Sequence, residues 1–335
     1  MPQADLVLEG GGMKGIGLLG AALRLLREGY EFPRVAGTSA GAIVAAFLAA
    51  GADEARLASA MDRLDYAEVP DRAPPGIPGL SEGVSLLRDA GAYEGDYIHE
   101  FIETELATLG VTTFEDLQRD DSEADPRQRL DDHREYKLVV MATDVTRGRL
   151  LRLPWDYRRL GLDPDKQRVA DAVRASISIP LYFDPVTIRS GGGTPTTLVD
   201  GGVLSNFPIE VFDRTDGEEP RWPTLGVKVI PQLPAGNAEL LPGVPRAAVS
   251  ALPPLQMLER VAATAIVGHD QTYLERPCVS RRAIQVDTSA VGIVEFDARR
   301  SARDAVRASG EEAVGDFLSD WDWEAYKRDC RGSST

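Results

Sequence analysis

The chain has 335 residues, 43% of them hydrophobic and 27% charged, with a net charge of −16 at pH 7. This is the balance of a globular protein with room for one large α/β domain or two modest ones. So acidic a composition argues against nucleic acid as a partner, because phosphates need a basic footprint, and against docking on an anionic membrane by bulk charge.

In chain order, DLVLE at 5–9 predicts a buried strand running into the glycine-rich stretch EGGGMKGIG at 9–17. Apolar residues at helical spacing predict a helix over 14–28, stopped by Gly29. A second strand, FPRVAGT, leads to Ser39, and the apolar AGAIVAAFLAAG that follows predicts a buried helix stopped by Gly51. This opening implies a parallel sheet covered by helices. The prolines and glycines of PDRAPPGIPGL at 70–80 exclude regular structure and mark a rim or lid. Helices are expected at 81–90 and 94–109, and the run RDDSEADPRQRLDDHRE at 119–135 reads as a solvated loop.

KLVVMATDV at 137–145 and RLLRLP at 149–154 predict a hairpin or paired strands. A helix near 168–175 leads into SISIP, a second hairpin spans 182–199 across SGGGTP, and DGG follows at 200–202. LGVKVI at 225–230 and AIQVD at 283–287 predict further strands, with an amphipathic helix at 253–275 and a last helix at 298–318. No repeat and no clean linker interrupts the chain. The expected fold is a three-layer α/β/α sandwich with a central, mainly parallel sheet.

The longest apolar run, AIVAAFLAA at 42–50, falls well short of the ~20 residues that span a bilayer. The N-terminal MPQADLVLEGGG lacks the basic and apolar regions of a signal peptide. Cys278 and Cys330 show neither metal spacing nor a disulfide framework, so reduced thiols in a cytoplasmic protein are expected.

Gly10, Gly12 and Gly15 satisfy G-x-G-x-x-G, the spacing of a loop that cradles a dinucleotide. Such a loop needs an acid at the tip of the second strand to hold the ribose. Here that strand ends in GTSAG at 37–41, and no phosphate-binding G-x-x-x-x-G-K-[ST] occurs. GTSAG fits the nucleophile elbow instead: Gly37 and Gly41 relieve a sharp strand-to-helix turn that thrusts out Ser39. A serine nucleophile needs a base. His99 and His133 fall on a helix and in the charged loop, and His269, although it fits the order Ser39–Asp200–His269, falls mid-helix. A carboxylate is the alternative: LVDGG places Asp200 at a strand end, before Gly201 and Gly202. Burial there would raise its basicity.

GGGMKG, GTSAG and DGG, in this order, resemble the patatin-like phospholipases, and GAYEGDYIHEFI, MATDVTRGRL, VRASISIPLYFDPV and LVDGGVLSNFPIEVF resemble the family's connecting segments. The resemblance covers residues 5–212; 213–335 reads as a C-terminal α/β extension completing the same globular unit. It implies a Ser–Asp dyad without histidine: Ser39 as nucleophile, Asp200 as proton acceptor, and backbone amides near Gly11, Gly12 and Met13 as the oxyanion hole. Lys14 matches the family's basic position, with a role in supporting the loop or attracting a phosphate. The implied activity is hydrolysis of phospholipid, lysophospholipid or smaller acyl esters, with no metal or cofactor and with transient contact to a membrane surface. Two alternatives remain open at this level: an acyltransferase of the same fold, and a non-catalytic lipid-binding or regulatory protein.

Overall fold

The computed structural model describes residues 1–71, 91–121, 134–189, 194–216, 218–229 and 276–330, with scattered positions between 257 and 265. The strands are β1 Asp5–Leu8, β2 Val35–Thr38, β3 Gly91–Tyr93, β4 Gln118–Asp120, β5 Arg134–Tyr136, β6 Leu138–Asp144, β7 Arg149–Leu153, β8 Leu181–Phe183, β9 Val186–Ile188, β10 Thr196–Asp200, β11 Thr224–Lys228 and β12 Ala283–Gln285. The helices are α1 Gly15–Arg27, α2 Ala40–Ala49, α3 Glu54–Arg63, α4 Asp96–Thr108, α5 Val169–Ser176, α6 Pro277–Ser280, α7 Arg300–Asp320 and α8 Trp323–Cys330.

The main sheet runs β12–β11–β1–β2–β6–β10–β9, with β7 also paired to β6. Neighbours from β12 to β6 are parallel, whereas β7, β10 and β9 join antiparallel. The apolar run of β1 follows from burial on both faces. Leu6 and Leu8 enter the large core beneath the helices, while Val7 packs with Ala36, Val139, Met141 and Phe212 on the opposite face. α2 is buried from Gly41 to Ala49 and packs on β1, β2 and β6. α1 lies between α2 and α7. The mixed, mostly parallel sheet flanked by helices is the architecture expected from the strand–helix order.

Several local expectations need correction. The strand at Leu181–Phe183 does not join the hairpin expected over 182–199; it pairs in parallel with β3, and the hairpin is β9 with β10. Tyr182 drives this choice, since its ring packs 4.8 Å from Tyr93 and 5.7 Å from Phe296. The charged run 119–135 is not wholly solvated either. Its ends, β4 and β5, form an antiparallel pair that buries Glu135 between Arg119 and Arg34, and burial pushes the Glu135 carboxyl up to about 7. The rim from residue 72, the helix at 81–90, and most of the helix at 253–275 lie outside the described residues.

The expectation of reduced thiols is overturned. Cys278 on α6 and Cys330 on α8 form a disulfide across 52 residues, because α6 and α8 pack together and the Tyr326 hydroxyl donates to the Cys278 carbonyl at 3.0 Å. The ground for placing the chain in a reducing compartment goes with that expectation. Among the described residues no helix is long and apolar enough to cross a membrane.

Candidate active site

Strand register brings the two candidate residues together. β2 ends at Thr38, which pairs with Met141 of β6, and β10 ends at Asp200, which pairs with Ala142, the next residue along. β7 pairs with β6 over 140–144 and so takes the other edge, because β2 and β10 share one. A parallel strand and an antiparallel strand therefore meet tip to tip, and the residues at their tips face each other. Ser39 and Asp200 lie 161 positions apart in the chain, yet the Ser39 side chain comes close enough to the Asp200 carboxyl to lower its pKa.

Ser39 forms the turn between β2 and α2 with φ 52° and ψ −126°. A side chain in that region carries strain of about 1–3 kcal/mol, sustained only where surrounding contacts over-determine it. The flanking glycines are part of those contacts: a Cβ at Gly41 would stand 2.4 Å from the Leu8 carbonyl oxygen, and one at Gly37 would stand 2.4 Å from Gly41 backbone atoms. The helix start thus sits directly against the end of β1.

The SISIP turn after α5 holds both residues. The Ser39 amide donates to the Ser176 hydroxyl at 2.9 Å, and the Asp200 amide donates to the Ser178 carbonyl at 2.8 Å. The Ser178 hydroxyl is fixed in turn between the Arg174 guanidinium, at 2.6 Å, and the Arg174 carbonyl, at 3.0 Å. Ser176 and Ser178 are fully buried. Asp200 is buried too, and burial pushes its carboxyl from 3.8 up to about 7, against the nearby Ser39 side chain and the Gly202 amide that hold it down. The Gly202 amide lies 2.7 Å from Asp200 Oδ1. Gly201, at the same turn, lies close against Met141.

The glycine-rich loop is clamped from the LSNFP segment. The Gly10 amide donates to the Asn206 carbonyl, and the Asn206 side-chain amide donates to the Gly10 carbonyl, both at 3.1 Å. Gly12 has φ +53° and opens a short 3-10 turn, Gly12–Lys14, that leads into Gly15 and α1. The Met13 amide does not point into open space: it donates to the Ile293 carbonyl at 2.7 Å. Among the described residues, no acceptor takes the amides of Gly11 and Gly12. Lys14 is 5% exposed, and desolvation lowers its pKa despite nearby Glu9 and Asp287. It sits inside the support of the loop rather than at the surface.

Gly12, Met13, Gly15 and Ser39 line one pocket. Its other walls are almost wholly apolar, including Ile43, Met61, Leu64, Ile98, Ile179 and Phe183. His99 stands apart, bound to Asp171 at 2.8 Å, and His133 and His269 lie outside the described residues. Sequence reasoning passed over Ser176, Ser178 and Asn206. Their signal was position alone: each lies in a short polar interruption of an apolar run beside a motif.

A family model described as Patatin-like phospholipase matches residues 6–213. The chain is 39% identical over 229 residues to the uncharacterized protein YqhO of Bacillus subtilis, covering 68% of this chain and 72% of that one. It is 28% identical over 321 residues to an uncharacterized NTE family protein of Mycobacterium tuberculosis, covering 92% of this chain and 46% of that protein. It therefore spans less than half the length of the mycobacterial relative. Among solved structures, VipD from Legionella pneumophila shares the fold with a TM-score of 0.50 at 18% identity, over 94% of this chain and 66% of that chain.

Proposed function

The chain belongs to the patatin-like phospholipase family, and from that premise we propose that it is a serine lipid acyl hydrolase in which Ser39 is the nucleophile and Asp200 its base. One observation carries the reading: a buried carboxylate, pushed up to about 7, stands beside a serine that lines an apolar pocket, at strand ends paired to adjacent residues of β6. An aspartate at its ordinary value is a weak base for an alcohol, and a value near neutrality matches the task.

The steps follow from the positions of the groups. Asp200 accepts the Ser39 proton as the serine oxygen attacks an acyl carbonyl. The tetrahedral oxyanion forms toward the amides of Gly11 and Gly12, next to the positive end of α1. The Met13 amide, already bonded to the Ile293 carbonyl, is not among these donors. The protonated Asp200 then gives its proton to the departing alcohol, and the same carboxylate activates the water that hydrolyses the acyl-serine. The apolar walls suit the acyl chain of a phospholipid, a lysophospholipid or a smaller ester. Neither step calls on a metal or a cofactor.

Hydrolysis of p-nitrophenyl hexanoate and of short-chain phospholipids, with fluorophosphonate labelling of the protein, tests the scheme. Ser39→Ala should lose both turnover and label. Full activity in that variant would sink the reading, and labelling without water-dependent release would point to acyl transfer.

A further inference from the structure

The part of the chain beyond the family match carries a second feature. On α7, Arg300, Arg303 and Arg307 follow at spacings of three and four and so share one helix face. Together with Asp62 and Asp304 they wall a cavity between α1, α3 and α7. Its apolar side holds Leu19, Ile16, Met61, Leu64 and Tyr66, and the last four also line the Ser39 pocket. The arginine cavity and the candidate acyl pocket are two compartments with a common wall.

The charges in this cavity are loosely committed. The Arg303 guanidinium lies over the Tyr66 ring at 4.9 Å, and among the described residues no carboxylate pairs with it. Arg307 meets Asp62 at 3.4 Å and Arg300 meets Asp304 at 4.0 Å, with both aspartates 70% exposed. Exposed pairs of this kind contribute little. A phosphate, with several anionic oxygens and a planar guanidinium to accept them, competes well against such partners. The local charge runs against that of the whole chain: RRSARDAVR at 299–307 holds four arginines and one aspartate within a protein of net charge −16. Lys14 does not serve this purpose, since it is buried beside Glu9 and Asp287.

We propose that this cavity is a phosphate subsite, in which Arg303, flanked by Arg300 and Arg307, binds the phosphate of a phospholipid whose acyl chain occupies the Ser39 pocket. The position of the chain rests on the acyl-hydrolase reading; the binding of phosphate does not.

The test compares Arg303→Gln with wild type on monomeric dihexanoyl phosphatidic acid and on p-nitrophenyl hexanoate. The expected result is a fall in kcat/KM of about tenfold or more on the phospholipid, with a change of less than about twofold on the neutral ester. Arg303→Lys should recover part of the loss, and added salt should weaken the phospholipid reaction selectively. Equal losses on both substrates, or none on either, would overturn the subsite. A binding arm uses Ser39→Ala and calorimetry with dihexanoyl phosphatidic acid, dihexanoylglycerol and inorganic phosphate. Arg303-dependent binding of the phosphatidic acid supports the subsite even if the wild type hydrolyses nothing, which separates its fate from that of the acyl-hydrolase reading. Inorganic phosphate binding as tightly as the lipid would refute the headgroup assignment.

Discussion

Asp200→Asn should remove activity and yet stabilise the fold at alkaline pH, and the size of the effect follows from the carboxylate's surroundings. Burial lifts the Asp200 carboxyl from 3.8 to about 7, a displacement that corresponds to about 4 kcal/mol of preference for the protonated form in the folded state. The folded protein holds this proton more tightly than the unfolded chain. The contribution to stability is therefore complete below about pH 4 and is lost as pH rises through about 7. Asparagine carries no charge to desolvate, and its side-chain oxygen can still accept from the Gly202 amide and the Ser39 hydroxyl. At pH 8 the variant should exceed the wild type by up to about 4 kcal/mol, or about 6 °C in Tm for a chain of this size, and the gap should close toward pH 4. Thermal unfolding of both proteins from pH 4 to pH 8 measures it. Ester turnover by the wild type should rise with pH through about 7, as the base ionises, and the variant should show none. Unfolding curves that run parallel at every pH, or a variant less stable at pH 8, would refute the buried-carboxylate account.

Ser176→Ala should lower kcat on a soluble ester by roughly tenfold with little change in KM, because it releases the strained Ser39 amide without touching the pocket; Ser176→Thr, which keeps the hydroxyl, should recover activity. Gly41→Ala should give little soluble protein, since its Cβ would stand 2.4 Å from the Leu8 carbonyl oxygen; a folded, active variant would contradict the packing of α2 on β1. Reduction of Cys278–Cys330 should lower stability by at most about 4 kcal/mol, the chain-entropy value for a loop of 52 residues. Calorimetry with and without reductant measures that loss, and esterase activity should persist because neither cysteine lines the pocket.

Local rules were enough for much of this protein. An apolar strand, a glycine loop, a second strand ending in GTSAG and an apolar helix are each specified by neighbouring residues, so the order of β1, α1, β2 and α2 was legible from periodicity and punctuation. The candidate serine was legible for the same reason, since the elbow is a local backbone motif. Asp200 was legible as a strand-end acid, but its partnership with Ser39 rested on a resemblance between whole motifs.

What only the tertiary structure decided depends on residues far apart in sequence. The short strands β3 and β8 exist because they pair with each other, and three residues carry no periodicity of their own. Burial of Glu135 inside a charged run depends on Arg34, about a hundred positions earlier. The disulfide depends on α6 meeting α8. The same holds at the site: the amide of Met13 is taken by the Ile293 carbonyl, the SISIP turn grips Ser39 and Asp200 together, and Tyr66 joins the apolar pocket to the arginines of α7. Sequence determined which groups could do chemistry. Desolvation and strand register, which exist only once the chain is folded, decided their basicity and their company.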